Sequence, residues 1–285
     1  MEPIVGSLPY LAPVLFASAG ELVSQRSGVV GIHTEGMMLG AALAAVIVGV
    51  RTGSPWLGSI AGIGAALALM LVFAALALGR GEDQVVVGTG VNLLALGGTS
   101  ALFRAEYGTS GSLVSAPGFG GGLDPVLLIG VLLVVGIGPL LSRTRFGLAL
   151  RGAGESPEAV TAGGLSVLGL RLSALTIAAL FAGLGGAYLA LGVAGSFAPG
   201  MTSGRGFVAL ALVSFGRWRL WPTVVGAVLV GIGEAAQYRL QTVPLLANVP
   251  PQLLLMLPYL LTLAVLVIAG PGSRAPLALG RAYKR

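Results

Sequence analysis

Residues 55–79 read PWLGSIAGIGAALALMLVFAALALG, a run that contains no charged side chain. An α-helix rises about 1.5 Å per residue, so about 20 apolar residues cross the roughly 30 Å hydrocarbon core of a bilayer. This stretch is long enough to cross with some tilt, and no side chain in it requires water. It therefore predicts a transmembrane helix.

The composition of the whole chain agrees with this segment. Of the 285 residues, 55% are hydrophobic and only 9% are charged, and the mean hydropathy is +0.95. A soluble domain contains about 25% charged residues, which supply much of its water-facing surface. We therefore expect an all-α, polytopic transmembrane bundle, in which residues 1–285 form a single domain.

Further apolar runs follow one another along the chain. One of them, 206–216, is too short to cross the membrane and is typical of a half-helix or re-entrant segment enclosed by protein. Counting it, we expect eight or nine membrane segments. In addition to 55–79 they are 5–24, 34–50, 84–103, 124–142, 168–193, 206–216, 220–240 and 250–270.

The distribution of basic residues predicts the orientation. If the connection 143–167 is cytoplasmic and the segments alternate, twelve of the 16 basic residues lie on the cytoplasmic side. The four outside are Arg51, Arg104, Arg205 and Arg239. Because cytoplasmic loops are enriched in Lys and Arg, we expect the N-terminus outside and the C-terminus in the cytoplasm. A second long connection, 104–123, then lies outside and reads as a flexible Gly/Ser-rich loop.

The cytoplasmic connection 143–167 contains a short helix signal of its own. Ser156 is a good N-cap, Pro157 suits the first helical position, and Glu158 complements the positive end of the helix. Gly163 and Gly164 would end it after about two turns. An isolated helix of this length is marginal, so we expect another protein to pack against it.

The residues needed for several kinds of chemistry are missing. The chain has no Cys, its only His is His33, and its only Lys is Lys284. A thiol site, a two-His metal site and a standard nucleotide-binding loop are therefore excluded. The arginines lie singly between apolar runs, which argues against a nucleic-acid surface. We expect no catalytic residues, no metal, no cofactor and no enzymatic activity.

A few polar residues lie within the apolar runs, where such residues often mark solute routes. Glu35 opens the second segment, where its carboxylate could either cap its own helix or serve the route. Asn92 lies in mid-segment beside Thr89 and Thr99. Interhelical hydrogen bonding and lining of a solute route both remain open for these residues.

Two other groups have structural interpretations. Glu234 and Gln237 lie one turn apart with Arg239 following, and by the alternation they form an interfacial cluster near the outer end. The glycine pairs at 36 and 40 and at 58 and 62 have the spacing that seats neighbouring membrane helices closely. Neither group indicates a particular solute.

Several segments together resemble the permease subunits of ATP-binding-cassette importers for branched-chain amino acids, simple sugars and nucleosides. SQRSGVVGIHTEGMMLGA (24–41) resembles that family's first signature, and GEDQVVVGTGVNLLALGGTS (81–100) its fourth span. FGLALRGAGESPEAVTAGGLSV (146–167) resembles its cytoplasmic coupling segment, and SGRGFVALALVSFGRW (203–218) its C-terminal part. The resemblance covers residues 10–270 and is closest to the shorter permease of nucleoside-type importers.

The resemblance implies roles for particular residues. The ATPase-coupling helix would comprise Gly154, Glu155, Ser156, Pro157, Glu158 and Ala159. Glu35 matches the Glu of the first signature, and Asn92 matches the Asn of the fourth span. The chain departs from the signature at Gly31, where Asn is usual, and at His33, where Gly is usual, so these departures bear on solute preference.

The resemblance also implies partners: a second permease, a cytoplasmic ATPase, an extracytoplasmic solute-binding protein and the lipids of a bacterial or archaeal plasma membrane. The leading hypothesis is a permease subunit that moves a small neutral solute, a nucleoside, by alternating access. A simple-sugar importer is the alternative within the family. A passive channel and a membrane-embedded enzyme are the alternatives from other classes, and the missing chemistry disfavours the enzyme.

Overall fold

The computed structural model describes residues 8–108, 114–119, 124–241 and 275–283, together with the isolated residues 253, 256, 260 and 264. These residues contain α-helices and no strand, which confirms the all-α prediction for this part of the chain. The helices are α1 (Leu8–Arg26), α2 (Thr34–Thr52), α3 (Pro55–Ala74), α4 (Gln84–Tyr107), α5 (Pro125–Arg143), α6 (Arg145–Glu155), α7 (Pro157–Ala162), α8 (Val167–Tyr188), α9 (Arg205–Phe215) and α10 (Leu220–Leu240). Helices α3 and α8 each end in a π-helical turn, Ala75–Gly79 and Leu189–Ala194.

Local sequence explains several helix ends. Gly53 adopts a left-handed conformation, with φ of 66°, and makes the tight turn between α2 and α3. Ser54 then caps α3, and Pro55 occupies its first turn. The Asp83 carboxylate accepts hydrogen bonds from the second and third residues of α4, and the Thr144 hydroxyl accepts one from the amide of Gly147 in α6. These caps satisfy N–H groups that a helix leaves without internal partners.

Six helical segments of the described chain are long and apolar enough to cross a membrane: Thr34–Thr52, Pro55–Gly79, Gln84–Tyr107, Pro125–Arg143, Val167–Ala194 and Leu220–Gln237. Helix α9 is apolar but has only 11 residues, as expected for the half-helix at 206–216. The expected segment 250–270 lies almost entirely outside the described residues. Of the eight or nine expected segments, these six are confirmed as candidate membrane spans.

Helix α1, the expected segment 5–24, is absent from the six because it is less apolar. It carries Glu21, Ser24 and Gln25 in its second half, and all three are buried. The helix packs against α5, α8, α9 and α10, so it is surrounded by protein rather than lipid. A helix in this position can carry polar groups if neighbouring helices satisfy them.

The outer helices have the opposite character. Ile60 on α3, Val86 on α4 and Leu132 on α5 are among the most exposed apolar side chains. A soluble protein rarely leaves such a continuous apolar surface in water. The bundle therefore places polar groups at its centre and apolar side chains at its periphery, which is the arrangement that a lipid bilayer requires.

Small residues bring the central helices into close contact. A Cβ atom on Gly58 or Gly62 of α3 would lie 2.6 or 2.8 Å from a carbonyl oxygen of α2, at Ala45 and Ala41 respectively. Gly186 of α8 packs directly on the Met38 carbonyl of α2. These contacts agree with the prediction that the glycines at 58 and 62 let neighbouring helices pack closely, and they show the same close packing between α2 and α8.

We expect Gly186→Ala to destabilise the protein by about 1–3 kcal/mol, because the added methyl group would overlap backbone that cannot move aside. Gly90→Ala is the matched control, since no atom of the described residues lies within 4 Å of a Cβ atom built there. The apparent melting temperature in detergent measures both. Equal melting temperatures for the two variants would show that α2 and α8 are not in close contact.

Candidate functional site

Asn92 joins α4 to the start of α2. Its side-chain amide donates a hydrogen bond to the carbonyl oxygen of Ile32 at 2.8 Å, and its Oδ1 accepts one from the amide of Gly36 at 2.7 Å. Both ends of the side chain are therefore used to hold the backbone at the beginning of α2. This supports interhelical hydrogen bonding, and a role for Asn92 in lining a solute route stays a prediction.

A second set of bonds holds the loop that precedes α2. Glu21 accepts hydrogen bonds from the Gln25 amide, the Gly31 backbone and the Thr34 hydroxyl, at 2.9, 2.9 and 3.0 Å. Gln25 in turn accepts the indole N–H of Trp218 at 2.7 Å. Sequence reasoning missed this network, although a Glu and a Gln one helical turn apart within an apolar run were a visible signal.

The two departures from the family signature have structural explanations. A side chain at Gly31 would collide with the Glu21 carboxylate, which fills the space in front of that residue. The His33 ring stacks on Phe73 of α3, with ring centroids 3.7 Å apart and planes 13° apart. Neither ring nitrogen of His33 has a hydrogen-bond partner among the described residues. Both positions therefore serve packing in the described structure.

Glu35 caps a helix, but not its own. Its carboxylate accepts hydrogen bonds from the Thr202 hydroxyl at 2.6 Å, the Gly204 amide at 2.8 Å and the Gly206 amide at 2.7 Å. These groups form the start of α9. Glu35 lies in the first turn of α2, as expected, but its carboxylate caps α9. A negative charge at this place satisfies free N–H groups and complements the positive end of the α9 dipole.

The start of α9 is also held by an ion pair. Arg205 and Glu234 of α10 are 3.1 Å apart, and their side chains are only 13% and 11% exposed. Arg205 donates as well to the carbonyl oxygens of Met201 and Thr202. The interpretation of Glu234 and Gln237 as an interfacial cluster is therefore wrong, since both are buried. Arg205 likewise lies inside the bundle rather than in an outer loop.

The two threonines on α4 do not join this junction. Thr89 is exposed, and its hydroxyl donates to the Val85 carbonyl of its own helix at 2.8 Å. Thr99 is buried, and its hydroxyl is bonded within α4 to Leu96 at 3.4 Å. The structure thus brings Asn92 of α4 next to Glu35 at the start of α2, because Asn92 bonds to the adjacent Gly36. Thr89 faces outward and Thr99 packs inward.

The connection 143–167 forms two helices, α6 and α7, rather than the single capped helix that the sequence suggested. Ser156 occupies the N-cap position of α7, but its side chain makes no capping hydrogen bond, and Pro157 follows in the first turn as expected. The helix ends at Ala162, before Gly163 and Gly164. Glu155, Ser156, Glu158 and Ala159 are exposed, whereas Gly154 and Pro157 are buried.

The C-terminal segment 275–283 lies across this connection. The amide of Ala278 donates to the Gly154 carbonyl at 2.8 Å, and the Tyr283 and Thr161 hydroxyls are 2.8 Å apart. The C-terminal segment and α7 are therefore at the same end of the bundle, as the alternation of segments requires. Which side of the membrane that end faces stays a prediction.

These features define a class of protein. The described residues contain no cluster of three or more potential metal ligands, and the buried Glu21, Arg171 and Glu234 are hydrogen-bonded to other side chains or to backbone. The long apolar helices surround a polar centre at which a short helix begins. This is the architecture of a polytopic membrane protein with the broken helices that are typical of transporters.

Comparison with known proteins makes the class specific. The family model described as "Branched-chain amino acid transport system / permease component" matches residues 4–266, and the chain belongs to this family. It is therefore a multi-pass membrane permease component of a transport system, which confirms the family resemblance seen in the sequence.

Three relatives align with almost the whole chain. The guanosine ABC transporter permease protein NupQ of Bacillus subtilis is 31% identical, covering 98% of this chain and 95% of the relative. A Haloferax volcanii protein that carries the name of a glucose ABC transporter permease, TsgC13, is 35% identical over 95% and 94%. The nucleoside ABC transporter permease protein NupC of Lactococcus lactis is 28% identical over 98% and 96%.

The buried ion pair yields a prediction. Arg205→Met should destabilise the protein by about 3–5 kcal/mol, because it leaves Glu234 charged and buried without a partner. The double variant Arg205→Met/Glu234→Leu should recover most of that loss. Unfolding in detergent, followed by tryptophan fluorescence, measures each variant.

The chain provides its own control in the exposed pair Arg51–Glu106, whose side chains are 62% and 36% exposed. Arg51→Met should lower the free energy of unfolding by less than about 1 kcal/mol, because exposed ion pairs contribute little to stability. Arg205 and Glu234 do not form the buried pair if Arg205→Met and Arg51→Met lower the free energy of unfolding equally. The same conclusion follows if the double variant is no more stable than Arg205→Met.

Proposed function

We propose that this chain is a permease subunit of an ATP-driven importer, and that it forms the pathway for a neutral solute, a nucleoside, together with a second permease. The main observation in support is that the charged groups at the polar centre of the bundle already have hydrogen-bond or ion-pair partners within the chain. The family and the relatives supply the transport context, and the following features support the individual parts of the proposal.

The polar centre favours a neutral solute. The carboxylate of Glu35 is occupied by the start of α9, and that of Glu21 by three donors. Arg205 is paired with Glu234. A charged solute would need a compensating charge in its route, and these four groups are already committed. Nucleosides and sugars both meet this condition.

The relatives favour a nucleoside over other neutral solutes. NupQ is named for guanosine and NupC for nucleosides, and this chain covers almost the full length of both. A simple sugar is the second candidate, because TsgC13 is named for glucose and is 35% identical. A passive channel has no comparable support, since all three relatives carry the names of ABC transporter permeases.

The outer face of α4 is a suitable place for the second permease and the pathway. Val86, Thr89 and Leu93 lie on this face and are exposed. In the proposed assembly Thr89 faces the route or the partner directly. Glu35 and Asn92 act behind it by fixing the start of α2 and α9, and the buried Thr99 helps to seat α4 against the bundle.

The exposed helix α7 would connect the permease to the ATPase. Glu158 and Ala159 project from it, while the buried Gly154 and Pro157 fix it to the bundle. In this proposal α7 and the C-terminus lie in the cytoplasm, the N-terminus lies outside the plasma membrane, and an extracytoplasmic binding protein delivers the solute. The chain itself would carry no ATPase activity.

The test is transport in proteoliposomes that contain both permeases and the ATPase, with the binding protein supplied. The wild-type complex should take up guanosine in an ATP-dependent manner, and glucose should not compete. Glu158→Arg and Ala159→Trp should each reduce uptake at least about tenfold, because charge and shape on the docking helix set register. Glu82→Arg, on an exposed carboxylate outside α7, is the matched control.

Uptake of glucose but not guanosine would replace the nucleoside with a sugar and leave the rest of the proposal in place. Uptake that continues without ATP would favour the passive channel. If both α7 variants transport at the wild-type rate, α7 is not the coupling element.

A further inference from the structure

A cavity of about 660 Å³ lies at the end of the bundle that carries α6 and α7. It opens between the ends of α1 and α5, helix α6 and the turn that leads into α10. Four arginines line it, one from each of these elements: Arg26, Arg143, Arg151 and Arg219. No carboxylate is among the described residues that line it. The cavity therefore concentrates positive charge in one place.

None of these four arginines forms a salt bridge with another described residue, although the Glu155 carboxylate lies within electrostatic range of Arg26. The two ion pairs that join described residues, Arg51–Glu106 and Arg205–Glu234, involve none of the four. Arg26 donates through Nε to the Trp218 carbonyl at 2.7 Å, and Arg151 donates through Nε to the Gly147 carbonyl. Arg143 and Arg219 are exposed. Guanidinium groups that line one cavity repel one another, and an anion bound among them would offset this repulsion.

The charged cavity continues into an apolar one. A second cavity, of about 270 Å³, lies between α1, α5 and α10, and every described residue that lines it is apolar. Both cavities are bounded by Val135, Leu220 and Trp221. The combined groove thus starts at an arginine cluster near the helix ends and runs along the apolar part of the helices. Such a groove fits a molecule with an anionic head and an apolar chain.

We propose that this groove is a binding site for one anionic phospholipid. The phosphate contacts the four arginines, and an acyl chain fills the apolar cavity. Trp221, which is 66% exposed, lies between the two parts, where amphipathic rings are favoured at membrane interfaces. Basic pockets between membrane helices suit anionic head groups. A zwitterionic lipid is disfavoured because its own cation would face the arginines.

Native mass spectrometry of the full-length chain in detergent tests the proposal. Titration with phosphatidylglycerol should give one tightly bound lipid, and phosphatidylcholine should bind at least about tenfold more weakly. Arg143→Gln/Arg219→Gln should weaken phosphatidylglycerol binding at least about tenfold. Arg80→Gln/Arg145→Gln removes the same charge from two exposed arginines that do not line the groove and should leave binding unchanged.

Two further measurements distinguish a lipid site from an anion site or a protein interface. Val131→Trp should block the apolar cavity and abolish tight lipid binding, although the four arginines are intact. Glycerol 3-phosphate should bind far more weakly than the phospholipid. In the assembled complex with both permeases and the ATPase, the phosphatidylglycerol should remain bound.

Several results would overturn the proposal. They are equal binding of the two lipids, equal loss in the two double-arginine variants, and glycerol 3-phosphate binding as tight as that of the phospholipid. Displacement of the lipid on assembly would also contradict it and would instead assign the groove to a protein partner. Lipid binding that survives Val131→Trp would exclude the acyl-chain position.

Discussion

The hydrogen bonds from the start of α9 to the Glu35 carboxylate organise the centre of this protein. An 11-residue helix cannot cross a bilayer, so at least one of its polar ends lies within the protein. Glu35 satisfies that end with three hydrogen bonds, and its negative charge interacts favourably with the positive end of the α9 dipole. With α9 fixed in this way, Arg205 reaches Glu234 on α10, and Trp218 beyond the other end of α9 reaches Gln25 on α1.

The same principle applies to the loop before α2. Side chains of α1 and α4 bind its backbone. Glu21 accepts a hydrogen bond from the amide of Gly31, Gln84 accepts one from the amide of Val30, and Asn92 donates one to the carbonyl oxygen of Ile32. Backbone that is not helical is tolerated at membrane depth only when protein satisfies it. The polar residues at the centre thus support two interruptions of the helical bundle, and this leaves few charges with which to bind a charged solute.

The apolar pattern was sufficient to predict the outer part of the fold. The charge-free run at 55–79 and the segments that became α4, α5 and α8 follow from length and hydropathy, and 206–216 was recognised as too short to cross. Helix α1 is different: its polar residues lower its hydropathy, and only its position inside the bundle makes them acceptable. Hydropathy reports which residues can face lipid, and it does not report which helix lies at the centre.

Two residues of the candidate site, Glu35 and Asn92, were predictable from the sequence, but their partners were not. Glu35 and Asn92 stand out because polar groups in apolar runs are costly. However, Glu35 binds groups that lie as many as 171 residues further along the chain, and sequence periodicity carries no information about such pairs. For the same reason the sequence placed Glu234 in an interfacial cluster and counted Arg205 separately among the outer basic residues, and the contact of residues 275–283 with Gly154 had no visible signal.

Hydrogen–deuterium exchange of the Gly204 and Gly206 amides is the most direct measurement of the central claim. In the wild-type chain both amides should exchange slowly. Glu35→Gln should accelerate them by about tenfold or more, because a hydrogen bond to a charged group is worth roughly 1.5–3 kcal/mol, whereas Glu82→Gln should have no effect. Rapid exchange in the wild-type chain, or exchange that Glu35→Gln does not change, would show that Glu35 does not hold the start of α9.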